Sequence, residues 1–290
     1  MMKRIVSIVL ILLGSASAAM PQTVSLGELA RQERERRKGV EASRDRGQLV
    51  KEVLLYSSGA TILDQLTKTF SDSSDNLFAQ FPQEARESLK KSTLDSLSSS
   101  RLFPVFEKTF AMEMDGETLG EVSRWYKTPI GSRIFQVESH QAVPGPDFLT
   151  RPVPASRARL IEELDHQTQS SERTVASILV MSKAMVAGIL AISGEPQSKK
   201  DALLREFEQG FAATATAPLT EAIRNGILFT YRDLSDSDLE EYLRFLTTPG
   251  GQKLAHATGK ALQASLQQGG TDAGAAFGQV MRQITKTRLN

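Results

Sequence analysis

The chain contains no cysteine, has few aromatic residues and carries almost no net charge. Without cysteine it can form neither a disulfide framework nor a lipid attachment at a mature N-terminal cysteine, and thiol chemistry is excluded. The 35 basic residues nearly balance the 34 acidic residues, so no overall field attracts nucleic acid, and we expect no nucleic-acid partner. Strand-like alternation of Val, Ile, Thr and Tyr does not persist beyond a few positions, which favours an all-α fold.

The first 19 residues have the pattern of a secretory signal peptide. Lys3 and Arg4 form the positive start, residues 5–13 form an apolar core, and Ala16-Ser17-Ala18 forms a small-residue cleavage site. We expect cleavage between Ala18 and Ala19 or one residue later. A span needs roughly 20 apolar residues, so an uncleaved anchor is the less favoured alternative. The signal predicts a periplasmic or secreted protein.

Residues 20–45 read as a charged helical leader. Every residue from Arg31 to Lys38 except Gln32 is charged, so a helix there has almost nothing to bury. A solvated leader is the simpler interpretation. The alternative is a tether that contacts peptidoglycan, anionic head groups or another protein.

An internal repeat organises the remaining chain. The phrase R-W-Y-K-T-P-I-G-S-R-I at Arg124–Ile134 returns as R-F-L-T-T-P-G-G-Q-K-L at Arg244–Leu254, 120 residues later. Likewise R-G-Q-L-V-K-E-V at Arg46–Val53 corresponds to R-A-R-L-I-E-E-L at Arg157–Leu164. The repeat predicts two tandem helical-bundle copies, residues 46–141 and 157–290, joined by a proline-rich linker at 142–156.

Spacing of apolar residues predicts several individual helices. One core helix is expected to begin at Gln48 and run through residue 66, and the polar run at residues 71–75 predicts a turn. Asp115 and Ser235 occupy equivalent capping positions ahead of the two repeated phrases. The apolar stretch 175–192 predicts a central buried helix covered by both copies, with a membrane span as the alternative.

The repeated T-P-x-G phrase is the one motif that indicates binding. Its threonine and proline are typical of a helix start, and free N–H groups at such a start attract anions, with a basic residue one turn away to assist. A capped helical hairpin, whose glycine admits an aromatic neighbour such as Trp125 or Phe245, is the simpler explanation. The residues of this candidate anion site are Thr128, Pro129, Gly131, Arg133, Thr248, Pro249, Gly251 and Lys253.

Other chemistry finds little support in the sequence. His140, His166 and His256 occupy non-equivalent places in the repeat. Glu162 and His166 share one helix face, but a metal site needs three or four ligands. Since no nucleophile elbow, Walker loop or dinucleotide fingerprint occurs, we expect no cofactor, no metal and no enzymatic activity.

The second T-P phrase and its approach, S-D-S-D-L-E-E-Y-L-R-F-L-T-T-P-G-G-Q-K-L, resemble the signature of an exported bacterial helical family, domain of unknown function 2059. The first copy departs from that signature at Ile130, Ser132 and Arg133. The resemblance implies an all-helical exported bacterial domain, and it brings no established activity, ligand or catalytic residue.

The sequence therefore predicts a non-enzymatic binding or scaffolding module of the bacterial envelope. Its expected partner is an unidentified protein or envelope component, and no transmembrane span is expected after signal cleavage. Two alternatives stay open: a carrier of a small anionic or lipid-like ligand in a cleft between the copies, and a hydrolase.

Overall fold

Helices joined by short turns make up the described part of the chain, which confirms the all-α prediction. The structure is a computed structural model. It describes residues 45–57, 59–79, 81, 83–139, 145, 148, 150, 152–191 and 193–289. The predicted signal peptide, the leader as far as residue 44 and much of the linker lie outside the described residues.

Twelve helices occur in the described ranges, and residues 46–290 form one compact unit. The first six are α1 (45–56), α2 (Gly59–Phe78), α3 (Gln83–Ser96), α4 (Ser99–Glu113), α5 (Gly116–Tyr126) and α6 (Pro129–Ser139). The second six are α7 (Ala155–Thr168), α8 (Ser170–Ala191), α9 (Gln197–Thr214), α10 (Thr216–Thr230), α11 (Asp236–Leu246) and α12 (Pro249–Leu289).

Two predictions for the first helices are wrong. The expected single helix from Gln48 to residue 66 is divided, because α1 ends at a turn at Ser57 and α2 begins at Gly59. A side chain at Gly59 would lie 2.7 Å from the Phe106 ring, so glycine lets α2 begin directly against α4. The expected turn at 71–75 is helical and lies inside α2, whose helical spacing allows Lys68 to pair with Asp72 at 2.6 Å.

Both predicted caps are present. The Asp115 carboxylate accepts the Thr118 N–H at 2.8 Å and caps α5. The Ser235 hydroxyl accepts the Asp238 N–H at 3.1 Å, and the Asp238 carboxylate accepts the Ser235 N–H at 3.1 Å, which completes a capping box on α11. These caps satisfy N–H groups that a helix start leaves unpaired, and they fix where α5 and α11 begin.

The main apolar core collects side chains from both predicted copies. Its members come chiefly from α1, α4, α5 and α6 on one side and from α11 and α12 on the other. The largest fully buried core side chains include Phe106, Phe110, Leu102, Leu119, Ile134 and Leu239. A smaller cluster forms around Phe78, Leu89 and Phe277. The core therefore joins the two halves of the chain.

The expectation that α8 is a central buried helix is wrong. Its buried residues are Ser171, Val175 and Ser177, whereas residues 178–190 are only half-buried. One side of α8 lies against α12, where a side chain at Gly270 would overlap the Met181 carbonyl and one at Gly188 would lie 2.6 Å from the Gly274 backbone. Small residues thus let two backbones meet on this side, and the apolar side chains of the other side lie beside α9 and α10.

By length and composition α8 is the one helix of the described chain that could cross a membrane. An 18-residue stretch of this helix has a mean hydropathy of 1.9, and 11% of that stretch is buried. Among the described residues, α8 makes few contacts with helices of the first predicted copy, and Ile189 packs against the cluster that contains both Phe78 and Phe277. The predicted cover by both copies is therefore largely absent from the described ranges.

Candidate functional site

The first T-P turn is a capped reversal between α5 and α6. The Thr128 hydroxyl donates to the Trp125 carbonyl at 2.7 Å and accepts the Gly131 N–H at 3.1 Å. Pro129 is the first residue of α6, where a helix has no use for an N–H. One side chain therefore closes the end of one helix and starts the next.

The second T-P turn has the same hydrogen bonds. The Thr248 hydroxyl donates to the Phe245 carbonyl at 2.8 Å and accepts the Gly251 N–H at 3.1 Å. Pro249 is the first residue of α12. The two turns thus use matching atoms at matching positions.

Both turn glycines are required by backbone contact. A Cβ on Gly131 would overlap the Trp125 carbonyl and lie 2.7 Å from the Tyr126 Cα. A Cβ on Gly251 would overlap the Phe245 carbonyl in the same manner. We predicted that these glycines admit an aromatic neighbour such as Trp125 or Phe245, and in the structure each glycine lies against the main chain of one of these two residues.

The basic residues of the motif contact carboxylates of the chain itself. The Arg133 guanidinium donates to both carboxylate oxygens of Asp238, at 3.0 and 2.8 Å. Lys253 donates to the carboxylate of Asp115. Both cations of the predicted anion site therefore already have an anionic partner at the cap of a helix from the other half of the chain.

These ion pairs change the acidity of the carboxyl groups. The hydrogen bond from Lys253, with those from Thr118, holds the pKa of Asp115 far below its ordinary value. Burial acts to raise the pKa of Asp238, but hydrogen bonds from Ser235 and Arg133 outweigh it and the pKa is lowered. Both groups are therefore anionic at neutral pH.

A further carboxylate lies at the start of α12. The Glu121 carboxyl group comes within 2.6 to 2.7 Å of the position that a Cβ on Gly250 would occupy. Negative charge is favourable beside a helix N-terminus. The N-terminus of α12, which the sequence predicted as an anion site, thus already lies near a carboxylate of the chain itself.

The two turns meet through their aromatic residues. Trp125 and Phe245 precede the equivalent T-P pairs, and their rings stack with centroids 3.9 Å apart and planes inclined by 10°. Tyr242 also stacks on Trp125, with a centroid distance of 5.5 Å. The two T-P turns therefore lie beside an aromatic contact between the two halves of the chain.

A half-buried carboxyl group beside this contact was missed from the sequence. Glu138 of α6 accepts hydrogen bonds from the hydroxyls of Tyr231 at 2.5 Å and Tyr242 at 3.0 Å. Burial raises the pKa of Glu138 to about 7, against the smaller lowering effect of the two hydroxyls. Burial also raises the pKa values of Tyr231, Tyr242 and the neighbouring Tyr126. No sequence signal links these residues, since the bonds join positions 93 and 104 residues apart.

Two open grooves flank Arg244 on the surface of α11. One, of about 300 Å³, is lined by Glu163, Gln167, Glu240, Leu243, Arg244 and Thr247. The other, of about 320 Å³, is lined by Glu121, Trp125, Glu241, Arg244, Phe245 and Thr248. Their volumes lie at the small end of the range for ligand sites. The second groove opens over the Trp125–Phe245 stack and is lined by residues of both halves of the chain.

In the described part of the chain, no three His, Asp or Glu side chains are grouped so that they could hold a metal ion. His166 is exposed on α7. His256 lies 3.9 Å from the Glu113 carboxylate, which also pairs with Lys260. His140 lies outside the described residues.

Comparison of the chain with protein-family models, with curated proteins and with solved structures finds no match to any of them.

Proposed function

We propose that this protein is an exported, non-enzymatic binding module of the bacterial envelope, built from two tandem helical copies and acting through one apolar surface. The proposed copies are residues 46–141 and 157–290, and the resemblance to the family of domain of unknown function 2059 stays part of this proposal. The surface consists of α8, α9 and α10. We call it the apolar face.

Equivalent arginine contacts support the tandem arrangement. Arg46, at the start of α1, donates to the carbonyls of Ala111 and, at 2.8 Å, Met114. Arg157, at the start of α7, donates to the carbonyls of Tyr231 at 2.5 Å and Leu234 at 2.7 Å. The two acceptors in the second copy lie 120 residues beyond those in the first, which is the spacing of the T-P phrases.

The observation that carries the binding proposal is the exposure of the apolar face. α8 is apolar enough to span a membrane, yet most of it is only half-buried, and neither α9 nor α10 has a fully buried residue. Leu203, Phe207 and Phe211 follow one another at helical spacing along α9, where Leu203 is 36% exposed and the two phenylalanines are half-buried. Contiguous apolar surface of this kind marks an interaction site in a soluble protein.

An ion pair within the face favours a protein as its partner. Lys183 in the middle of α8 contacts Glu208 of α9 at 2.6 Å, and both side chains retain nearly half of their exposure. Hydrocarbon offers such a pair no hydrogen bonds, whereas a protein surface can supply polar atoms around it. We therefore propose an apolar protein surface carrying a few polar groups as the partner.

A lipid-like ligand is the second candidate, since the same apolar surface would also receive acyl chains. A small anionic ligand at the T-P turns is less well supported, because Arg133 and Lys253 already pair with carboxylates. The candidate cleft between the copies is an open groove over an aromatic stack. For a lipid-like ligand we therefore propose the apolar face as the binding site, in place of the cleft between the copies.

Native mass spectrometry of the protein purified from its own envelope tests this function. A bound polypeptide supports the first candidate and a bound lipid the second. Leu203→Glu and Phe207→Glu should release the bound species, whereas Leu55→Glu, at an exposed leucine of α1, should retain it. Retention in all three variants, or purification with nothing bound, would remove the support for the apolar face.

Export is tested by N-terminal sequencing of the same material. The expected mature N-terminus is Ala19 or Met20, because both Ala16-Ser17-Ala18 and Ser17-Ala18-Ala19 present small residues to a signal peptidase. Recovery of intact Met1 from the membrane fraction would make residues 5–13 an anchor.

A further inference from the structure

Two ion pairs between the T-P hairpins are reciprocal. The first hairpin is α5 with α6, and the second is α11 with the start of α12. Arg133 of the first contacts Asp238, three residues after the α11 cap, and Lys253 of the second contacts Asp115, the α5 cap itself. Arg133 and Lys253 are equivalent positions of the repeat. In each hairpin, therefore, the basic residue at this position contacts a carboxylate at the beginning of the other hairpin.

The aromatic contact between the hairpins is also formed by equivalent positions. Trp125 and Phe245 lie 120 residues apart and stack face to face. When a contact joins a position to its own equivalent, and flanking contacts run both ways, the arrangement is that of a two-fold symmetric interface. The stack lies where such a two-fold axis would pass.

We infer that the two T-P hairpins form a self-complementary interface, so that a hairpin of this kind takes a second hairpin of the same kind as its partner. This inference rests on the tandem arrangement proposed above and does not depend on the apolar face. It assigns Arg133 and Lys253 as positioning residues that set the register of one hairpin against the other. The chain is then a covalently joined counterpart of a symmetric homodimer.

Charge pairing suits a positioning role. Exposed ion pairs contribute little to stability, but opposite charges select one register and disfavour the shifted ones. Here the carboxylates also sit at helix starts, where negative charge is favoured. Sliding either hairpin by one turn would leave both cations opposite the wrong groups. The apolar stack alone does not discriminate between registers in this way.

Zero-length cross-linking by a carbodiimide tests the inference on the full chain. The reagent activates a carboxyl group, and a contacting lysine amine displaces the activating group to form an amide. Wild type should yield a link between residues 115 and 253 and none between 133 and 238, because a guanidinium does not couple. The Arg133→Lys variant should yield both links, read by peptide mapping of the monomeric species.

Symmetry is tested by giving the first hairpin the cap of the second. The variant Asp115→Ser, Thr118→Asp, Arg133→Lys rebuilds at α5 the capping box found at α11. If the interface is self-complementary, Lys253 should now couple to the carboxylate introduced at position 118, as the amine introduced at position 133 couples to Asp238. The wild-type link at position 115 should disappear, because serine has no carboxyl group.

The outcomes separate clearly. Links 118–253 and 133–238 in the triple variant support the inference. Failure of the 118–253 link in a variant that unfolds at the wild-type urea midpoint overturns it, as does absence of the 115–253 link in wild type. If the triple variant does not fold, the Arg133→Lys variant decides, and a missing 133–238 link overturns the inference. No ligand enters these experiments, so failure to find a partner for the apolar face leaves them unaffected.

Discussion

Trp125 stacks on Phe245 with ring centroids 3.9 Å apart, and each residue precedes the T-P pair of its own turn. The contact unites two positions 120 residues apart and packs the ends of α5 and α11 together. Because Trp125 is the single tryptophan of the chain, tryptophan fluorescence reports on the surroundings of this side chain.

Removing the stack should destabilise the whole described fold. Trp125→Ala loses a large apolar contact in a half-buried site, and we expect a cost of about 2 to 4 kcal/mol. Urea unfolding followed by circular dichroism measures it. Met112→Ala, at a methionine that is 74% exposed, is the control and should change the free energy of unfolding by less than about 0.5 kcal/mol. Equal effects of the two substitutions would contradict a structural role for the stack.

The turn glycine should not tolerate a side chain. Gly251→Val places a Cβ against the Phe245 carbonyl, and overpacking of this kind typically costs about 1 to 3 kcal/mol. Gly210→Ala, in an open position of α9, should instead raise the free energy of unfolding by about 0.5 to 1 kcal/mol. A valine variant as stable as wild type would revive the view that the glycine keeps backbone N–H groups open to an anion.

The threonine cap should contribute by its hydroxyl. Thr248→Ala leaves the Gly251 N–H without its acceptor and should cost about 1 kcal/mol, whereas Thr248→Ser should retain most of the stability. Thr247→Ala is the matched control, since the Thr247 hydroxyl donates to the Arg244 carbonyl at the exposed end of α11 and caps no helix start. Chemical denaturation of the three variants checks the order. A Thr247 effect as large as that of Thr248 would contradict the cap.

Glu138 should make stability depend on pH between about 5 and 8. Its pKa rises from an ordinary 4.5 to about 7 in the folded chain, so the folded state binds the proton more tightly than the unfolded state. Stability from this group is therefore fully present below pH 4.5 and is lost as the pH rises through about 7.

The comparison of wild type with Glu138→Gln isolates that effect. The difference in their free energies of unfolding should shrink or reverse as the pH rises from about 5 to about 8, because the amide cannot ionise. Glu206→Gln, the same substitution at an exposed carboxylate of α9, is the matched control. Carboxyl groups with lowered pKa values, such as Asp115 and Asp238, affect stability only at more acid pH. A constant difference for Glu138→Gln would refute the raised pKa.

The buried Arg157 should be more sensitive to substitution than its exposed neighbour Arg159. Arg157→Lys loses the fork that reaches the Tyr231 and Leu234 carbonyls and Asp236 together, and we expect a cost of about 2 to 3 kcal/mol. Arg159→Lys, two residues further on an exposed face, should be nearly neutral. Thermal unfolding of both variants measures the difference, and similar melting temperatures would show that the three bonds contribute little.

The features of the fold that the sequence predicted correctly depend on residues close to one another in the chain. Helical composition, the capping residues Asp115 and Ser235 and the T-P turns follow from short-range chemistry, since a side chain bonds to a backbone group three residues away. The predicted repeat also places Arg133 and Lys253 at equivalent positions. It did not identify their partners, because a carboxylate 105 or 138 residues away leaves no mark on the local pattern.

By itself, then, the sequence determined the helical class and the two capped turns, all of which depend on neighbouring residues. Only the tertiary structure decided that the turn cations meet helix caps across the chain, that Glu138 accepts hydrogen bonds from two tyrosines and that most of α8 is only half-buried. Hydrophobic periodicity shows how much apolar surface of a helix needs to be buried, but it does not show which neighbouring helix buries that surface. That choice depends on which helices reach each other when the whole chain packs, and here α12 covers one side of α8 and leaves the other half-exposed.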